Sequence, residues 1–244
     1  MSKPFGTAFT DALSFGVLTA VHLPDSKDPV PQGILDQLPP QERDHAVTLG
    51  GYRQVDFVGG RLALHRAIRS MGRKAGAVLA GPRGEPILPD GVSASISHKR
   101  TLAVALAARA GHGSLGVDLE DQGPPRMIVA PKVLTPEELR AVNDLPDERR
   151  WMGVLLRFSI KEAIYKAVYP YVRRYVDFSE AMVTPDPDGQ AEVVLRLTHG
   201  EGPFRVEARY YWLDGRVLST VRIRPLGATT PPDDGDDEVR GERP

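Results

Sequence analysis

The sequence predicts an α+β fold in which helices pack on small antiparallel sheets, and three observations favour it. First, 244 residues with 41% hydrophobic content can bury a substantial core in one large domain or two small ones. Second, short segments of alternating apolar and polar residues, separated by turn residues, occur in both halves of the chain. Third, two long segments, at residues 52–71 and 157–168, carry apolar residues at helical spacing.

We predict that the N-terminal half of the fold spans residues 1–120. A proline-rich connection leads to a helix that begins near Pro40, and a second helix follows over residues 52–71. The strands of this half share an alternating pattern, and they are predicted at residues 14–21, 95–98, 102–108 and 114–121. Because a short Gly-His-Gly segment joins the last two of them, residues 95–121 are predicted to form an antiparallel meander.

We predict that the C-terminal half of the fold spans residues 121–226. Thr135 can cap a helix with Pro136 at its first position, and the long helix at residues 157–168 follows. The strands are predicted at residues 192–198, 204–213 and 216–223, with Asp214 and Gly215 as a tight hairpin turn between the last two. No sequence repeat is visible, so two equivalent halves are an interpretation of the element order. Residues 227–244 have almost nothing to bury, which predicts a disordered acidic tail.

An acidic strand and the long helix contain the candidate site. Asp118 and Glu120 alternate with apolar residues, which predicts a half-buried strand with both carboxylates on one face. Glu162 lies on the polar side of the helix together with Lys161 and Lys166. If the helix packs beside the strand, three carboxylates suit a magnesium ion bound to a diphosphate. Taken alone, Glu162 and Lys166 also form the ion pair of an ordinary surface helix.

Composition excludes several classes of function. A formal net charge of −1 argues against a general nucleic-acid-binding protein. The absence of cysteine excludes disulfides, thiolate metal ligands and thiol nucleophiles. Residues 1–40 lack a signal-peptide pattern, and no apolar run approaches the ~20 residues that cross a bilayer. We therefore expect a cytoplasmic protein without a membrane or nucleic-acid partner.

Two motifs in this chain resemble a known family. Residues 116–120 (GVDLE) and 158–167 (FSIKEAIYKA) are similar, in order and spacing, to the two signature motifs of the 4'-phosphopantetheinyl transferases. Residues 84–91 and 95–98 are similar to the segment that precedes the metal strand in the pseudo-dimeric branch that activates surfactin and siderophore synthetases. The resemblance covers most of the chain. It implies two pseudo-equivalent halves with a cleft for coenzyme A (CoA) and magnesium between them.

The resemblance implies transfer of the phosphopantetheine arm of CoA to a serine of an apo carrier protein, with release of adenosine 3',5'-bisphosphate. The carriers would belong to fatty-acid, polyketide or nonribosomal peptide synthases. The chain is long enough to supply both halves of the cleft, so a monomer is expected. A magnesium-dependent nucleotide hydrolase and a non-catalytic module that binds carrier proteins are the alternatives.

The resemblance also implies residue roles. The metal ligands would be Asp118, Glu120 and Glu162; the catalytic residues would be Glu162, Lys166 and Asp118. Glu162 would accept the serine proton and Lys166 would add a fixed positive charge. The residues expected to contact CoA are Arg53, Arg61, Arg83, Gly84, Glu85, Pro86, Ser97, His98, Asp118, Lys161, Glu162 and Lys166. Leu88 and Lys99 depart from the family pattern near the CoA loop.

Overall fold

Two antiparallel sheets, each with a long helix on its outer face, organise the α+β fold. A computed structural model describes residues 3–81 and 84–227. The first sheet has the strand order β1-β2-β4-β3. Its strands are β1 (Thr7–Leu13), β2 (Gly16–His22), β3 (Val92–Lys99) and β4 (Leu102–Arg109). The helices between β2 and β3 are α1 (Gln32–Leu35), α2 (Pro40–Ala46) and α3 (Tyr52–Ser70).

The second sheet has five strands in the order β5-β9-β8-β7-β6. These are β5 (Ser114–Asp121), β6 (Ala181–Pro185), β7 (Gln190–Leu195), β8 (Phe204–Leu213) and β9 (Arg216–Pro225). The helices between β5 and β6 are α4 (Ala130–Val133), α5 (Pro136–Asn143) and α6 (Asp147–Val172). The predicted capping is confirmed, because the Thr135 hydroxyl accepts from the Glu138 backbone at the start of α5.

The core has four layers. Helix α3 packs on one face of the first sheet, where Val21, Ala103 and Ala105 are buried. The opposite face of that sheet packs against the second sheet through two sets of leucines, one on β2 and β4 and the other on β5 and β9. Helix α6 covers the outer face of the second sheet. Strand β5 therefore lies between the first sheet and α6, with neighbours on both of its faces.

Two sequence predictions about the strands were wrong, and strands β1 and β6 were not predicted. The strand predicted at residues 14–21 is present as β2, and β1 pairs with it across a hairpin turn. The predicted meander over residues 95–121 does not form, because β5 pairs with β9 instead of β4. Gly111 and Gly113, both at positive φ, let the chain leave the first sheet and enter the second. Strand β5 is also buried on both faces rather than half-buried.

The structure reveals a repeat that was not recognised in the sequence. Glu42 on α2 pairs with His65 on α3, and Glu138 on α5 pairs with Lys161 on α6. Both glutamates are buried and both accept a backbone N–H, from Val78 and from Val183 respectively. Four residues of the first half, Pro40, Glu42, Arg61 and His65, match Pro136, Glu138, Arg157 and Lys161 at one constant spacing. The two halves thus share a helical scaffold.

No helix among the described residues is long and apolar enough to span a membrane. The predicted disordered tail lies outside the described residues, apart from Gly227.

Candidate active site

The close approach of β5 to α6 positions the site. A Cβ atom on Gly116 would lie 1.8 Å from the carbonyl oxygen of Ala163, so only glycine permits this contact. Asp118 follows Gly116 by two residues on the same face of β5 and therefore also points at α6. Lys166 lies one turn beyond Glu162 on the helix and meets this aspartate.

Lys166, Asp118 and Ser97 form a hydrogen-bonded cluster between α6 and the two sheets. The Lys166 ammonium donates to Asp118 Oδ1 at 2.8 Å, to the Val117 carbonyl at 2.9 Å and to Ser97 Oγ at 3.3 Å. Ser97 Oγ in turn donates to Asp118 Oδ1 at 3.2 Å. Asp118 is only 4% exposed, so this lysine fixes its position in a largely dry environment.

The second oxygen of Asp118 is available to bind a cation. Asp118 Oδ2 is buried and has no hydrogen-bond partner. A buried carboxylate oxygen without a partner is costly, and a bound cation would satisfy it. Burial raises the pKa of Glu162, and the nearby carboxylates of Asp118 and Glu120 raise it further against the lowering effect of Lys166 and Lys99. The three carboxylates thus repel one another across a common space.

The three predicted metal ligands do not, however, form a ready-made metal cage. Within residues 3–81 and 84–227, no three His, Cys, Asp or Glu side chains converge closely enough to hold an ion. Asp118 is held by Lys166, and Glu120 is held by Lys99, whose ammonium lies 2.6 Å from Glu120 Oε2. The lysines supply the positive charge that a metal would bring, so the carboxylates are not drawn together. All the donors are oxygens, which fits a hard divalent cation.

A cavity of about 410 Å³ lies between α3 and β3, and we name it the arginine chamber. Its walls include Arg53 and Arg61 of α3 and His98 at the end of β3. Arg53 is exposed, whereas Arg61 is 7% exposed, donates to the Val78 carbonyl at 2.7 Å and stacks on Phe57. Burial lowers the pKa of Arg61.

Asp56 brings a negative charge to the arginine chamber. Its carboxylate lies 3.5 Å from His98 Nδ1. Burial lowers the pKa of His98; Asp56 opposes this shift, whereas Lys166 and Lys99 add to it. The histidine at the chamber wall therefore contacts one carboxylate, that of Asp56, and its pKa also responds to the charges of Lys166 and Lys99.

A larger cavity of about 690 Å³ adjoins the arginine chamber, and we name it the tyrosine chamber. It is lined by Tyr165 and Tyr169 of α6 and also by Glu162 and Lys166. The two chambers share three wall residues: Gly84, Pro86 and Ile96. Glu85 and Leu88 line the tyrosine chamber as well. The cleft is therefore continuous past the loop that the sequence singled out, and Glu162 and Lys166 stand in its larger part.

Lys161 lies outside this cleft, and the prediction that it faces the same side as Glu162 was wrong. Its side chain is 0% exposed. The ammonium donates to Glu138 at 2.6 Å and to the carbonyls of Val133 and Phe178, both at 2.9 Å. All three donors of the ammonium are occupied, so none is left for CoA. Arg83 lies outside the described residues.

Comparisons with known proteins identify the family. The family model for the N-terminal domain of 4'-phosphopantetheinyl transferases matches residues 41–108, and the model for the 4'-phosphopantetheinyl transferase superfamily matches residues 114–221. The 4'-phosphopantetheinyl transferase Svp of Streptomyces mobaraensis is 34% identical over 207 residues, covering 78% of this chain and 80% of its own. The chain belongs to the 4'-phosphopantetheinyl transferases.

Two further relatives place this transferase in the pseudo-dimeric branch. The 4'-phosphopantetheinyl transferase Npt of Nocardia iowensis is 33% identical, with 64% of this chain and 67% of that protein covered. Enterobactin synthase component D of Salmonella typhi is 29% identical, with 64% of this chain and 61% of that protein covered. The boundary between the two family matches falls at residues 109–113, where the chain leaves the first sheet for the second.

Sequence reasoning missed several residues that shape the cleft of this transferase. Asp56 lies one turn after Arg53 on α3, and that spacing alone could have indicated a shared face. The Ser95 hydroxyl accepts from the Val117 backbone at 3.1 Å and so ties β3 to β5. The sequence carries no signal for that bond, because it joins two strands of different sheets. Lys99 was noted only as a departure from the family pattern.

Proposed function

We propose that this enzyme transfers the 4'-phosphopantetheine arm of CoA to a serine of an apo carrier protein in a magnesium-dependent reaction. The family supports arm transfer from CoA to a carrier protein. Magnesium dependence, the nucleotide product and the residue roles are the parts we add. One observation supports them: Asp118 Oδ2 is buried without a hydrogen-bond partner, the other oxygen of this carboxylate accepts from Lys166, and Lys166 and Glu162 line the cleft.

The charge distribution supports one orientation of CoA. The arginine chamber has two guanidinium groups and a histidine, which suit the 3'-phosphate and the nucleotide end. The tyrosine chamber suits the pantetheine arm, since Tyr165 and Tyr169 offer apolar ring faces to a chain of amides and methylenes. In this orientation the diphosphate lies where the chambers meet, near Lys166 and Glu162.

We assign magnesium to Asp118, with Glu162 and Glu120 as further ligands. The oxygen-only donor set and the unpartnered Asp118 Oδ2 support the assignment. When bound, magnesium would offset the negative charge that the diphosphate develops as its bridging bond breaks. Asp118 also orients Lys166, because this aspartate and the Val117 carbonyl fix the ammonium at the cleft wall.

The transfer is a displacement at the β-phosphorus of CoA. The serine oxygen forms a bond to that phosphorus, the bond to the bridging diphosphate oxygen breaks, and adenosine 3',5'-bisphosphate leaves with the electron pair. Lys166 stabilises the charge on the departing phosphate. Glu162, which lines the cleft, accepts the serine proton as the general base.

The names of the relatives suggest which kind of biosynthetic pathway the carrier protein serves. One relative is named as a component of enterobactin synthase, which favours carriers of siderophore or other peptide assembly lines. Carrier proteins of polyketide and fatty-acid synthesis are the other substrates to be compared. A monomeric state and a cytoplasmic location stay predictions, which light scattering and cell fractionation would test.

The experiment that tests the proposed function measures intact mass. Purified protein is incubated with CoA, magnesium and a panel of apo carrier proteins, and at least one carrier should gain a phosphopantetheine group on a serine. Glu162→Gln should abolish this mass gain, because the amide neither holds the metal nor accepts the proton. Cleavage of CoA without any modified carrier would refute transfer and favour the hydrolase; no reaction at all would favour a binding module.

Arg53→Ala tests the orientation of CoA. We expect it to raise the KM for CoA with little change in kcat, since its guanidinium is assigned to a phosphate remote from the reacting phosphorus. Dephospho-CoA should carry a similar penalty with the native enzyme and little extra penalty with the variant. Equal sensitivity of both enzymes to the loss of the 3'-phosphate would refute the assignment.

A further inference from the structure

Lys99 contacts Glu120, one of the three predicted metal ligands. Its ammonium is 2.6 Å from Glu120 Oε2, a charge-assisted hydrogen bond. The side chain of Glu120 is 16% exposed and that of Lys99 is 39% exposed, so the contact is partly shielded from water. Lys99 ends β3 and Glu120 lies near the end of β5, and the pair therefore bridges the two sheets at the edge of the acidic cluster.

Lys99 is the cation in direct contact with Glu120. Its ammonium already occupies the oxygen that a divalent ion would need.

We propose that Lys99 is a resident counter-ion of Glu120 that competes with the divalent cation and lowers the metal affinity of this enzyme. The inference rests on the magnesium site of the proposed function. Any metal ion that Glu120 held would share this carboxylate with the Lys99 ammonium, so the two positive charges would repel each other. Binding through Glu120 therefore requires Lys99 to leave this carboxylate.

Asp118 and Glu120 differ in how their oxygens are paired. Lys99 pairs with Glu120, and Lys166 pairs with Asp118 Oδ1. Among the oxygens of the three predicted ligands, Asp118 Oδ2 is buried without a hydrogen-bond partner. A cation would bind this oxygen without displacing a lysine, whereas Glu120 would become available only when Lys99 leaves it.

The test measures manganese binding, with Mn²⁺ as a spectroscopic substitute for Mg²⁺. Free Mn²⁺ is followed by electron paramagnetic resonance in titrations of the full-length native protein and of Lys99→Gln, in the absence of CoA. Lys99→Gln should bind Mn²⁺ about tenfold more tightly, because it removes a positive charge in contact with a ligand. Lys99→Arg keeps the charge and should bind like the native protein.

Arg100→Gln is the matched control. It removes the same charge one residue along the chain, but Arg100 is 73% exposed and pairs only loosely with Asp121, at 3.8 Å. We expect less than a twofold change in Mn²⁺ affinity, because solvent screens an exposed charge. A general effect of net charge would appear equally in both variants, whereas competition at Glu120 appears only in Lys99→Gln.

A double variant links the effect to Glu120. In Lys99→Gln/Glu120→Gln, the tighter binding should disappear, since no carboxylate is left for the lysine to release. Circular dichroism and thermal melting check that each variant is folded. The proposal is overturned if folded Lys99→Gln binds Mn²⁺ no more tightly than Arg100→Gln, or if it shows no saturable binding. Carrier modification by the native protein under the same conditions would then leave the proposed function standing.

Discussion

The burial of Lys161 leads to a prediction that separates it from Lys166 on the same helix. Lys161→Met keeps the length of the side chain but removes its charge and all three of its hydrogen bonds. Glu138 would then be a buried carboxylate without a cation in contact with it, although the backbone groups of Thr135 and Val183 still donate to it and Arg157 lies nearby. The carbonyl groups of Val133 and Phe178 would lose a donor as well.

The size of the effect follows from the burial. The side chains of Lys161 and Glu138 are 0% and 2% exposed, so water cannot replace the lost partner. Removing one member of such a pair costs about 3–5 kcal/mol of unfolding free energy. For a chain of this length that loss lowers the Tm by roughly 6–20 °C. The denaturant m-value should stay the same, because the surface exposed on unfolding is unchanged.

The assay combines urea unfolding with transfer kinetics measured well below the lowered Tm. Lys161→Met should keep kcat and the KM for CoA within a few-fold of the native values, because its ammonium does not reach the cleft. Lys166→Met is the counterpart: it should lower kcat by a factor of about 10²–10³. It should cost less stability, since the Lys166 side chain is 28% exposed. If Lys161→Met loses less than about 1 kcal/mol, or if it raises the KM for CoA instead, the structural role of Lys161 is refuted.

Three further predictions concern the packing and the charges around the site. Gly116→Ala should lower the free energy of unfolding in urea by about 1–3 kcal/mol and impair transfer, because its Cβ would overlap the Ala163 carbonyl. Gly33→Ala is the control, since a Cβ there would meet nothing within 4 Å, and it should change neither stability nor transfer. Equal effects of the two substitutions would contradict this reasoning. The raised pKa of Glu162 means that the folded protein binds this proton more tightly than the unfolded chain does. The contribution of Glu162 to the stability of the protein without metal therefore falls as the pH rises through that pKa. Glu162→Gln should remove this pH dependence in thermal melting and be no less stable than the native protein at neutral pH, and a less stable variant would contradict this. The pH dependence of stability that Glu180 contributes has the opposite sign, since hydrogen bonds, the largest from a guanidinium group, lower its pKa to about 2. The stability that Glu180 contributes is present above the ordinary carboxyl pKa and is lost as the pH falls towards about 2. The Tm values of the native protein and of Glu180→Gln should therefore converge in acid.

The sequence predicted those features that depend on local periodicity. Helix α3 was expected over residues 52–71 and spans Tyr52–Ser70. The β8–β9 hairpin, with Asp214 and Gly215 in its turn, was likewise predicted and is present. These elements are specified by apolar spacing and turn residues within a few positions of each other, which a single sequence displays directly.

Features that depend on distant partners were not predictable. The sheet that β5 joins is decided by β9, which lies about a hundred residues further along the chain. The burial of Lys161 depends on Glu138 and on two carbonyl groups from other segments. A partial signal did exist, because Lys161, Ile164 and Val168 recur at i, i+3 and i+7 and therefore share the apolar face of α6. A lysine in that pattern implies a buried partner, but the pattern does not say which one.

The repeated scaffold shows why only one half carries the acidic chemistry. In both halves, a glutamate near the start of a short helix binds a cationic or titratable residue on the next long helix. One turn before that residue, each long helix carries an arginine, Arg61 or Arg157, whose pKa is lowered by burial. The position after the paired residue differs: it is Arg66 in the first half and Glu162 in the second. Arg66 is directed towards polar side chains at the surface, whereas Glu162 lines the tyrosine chamber. The buried pairs hold each helix in the same way, so the partly buried position next to the pair can carry a basic residue in one half and a cleft carboxylate in the other.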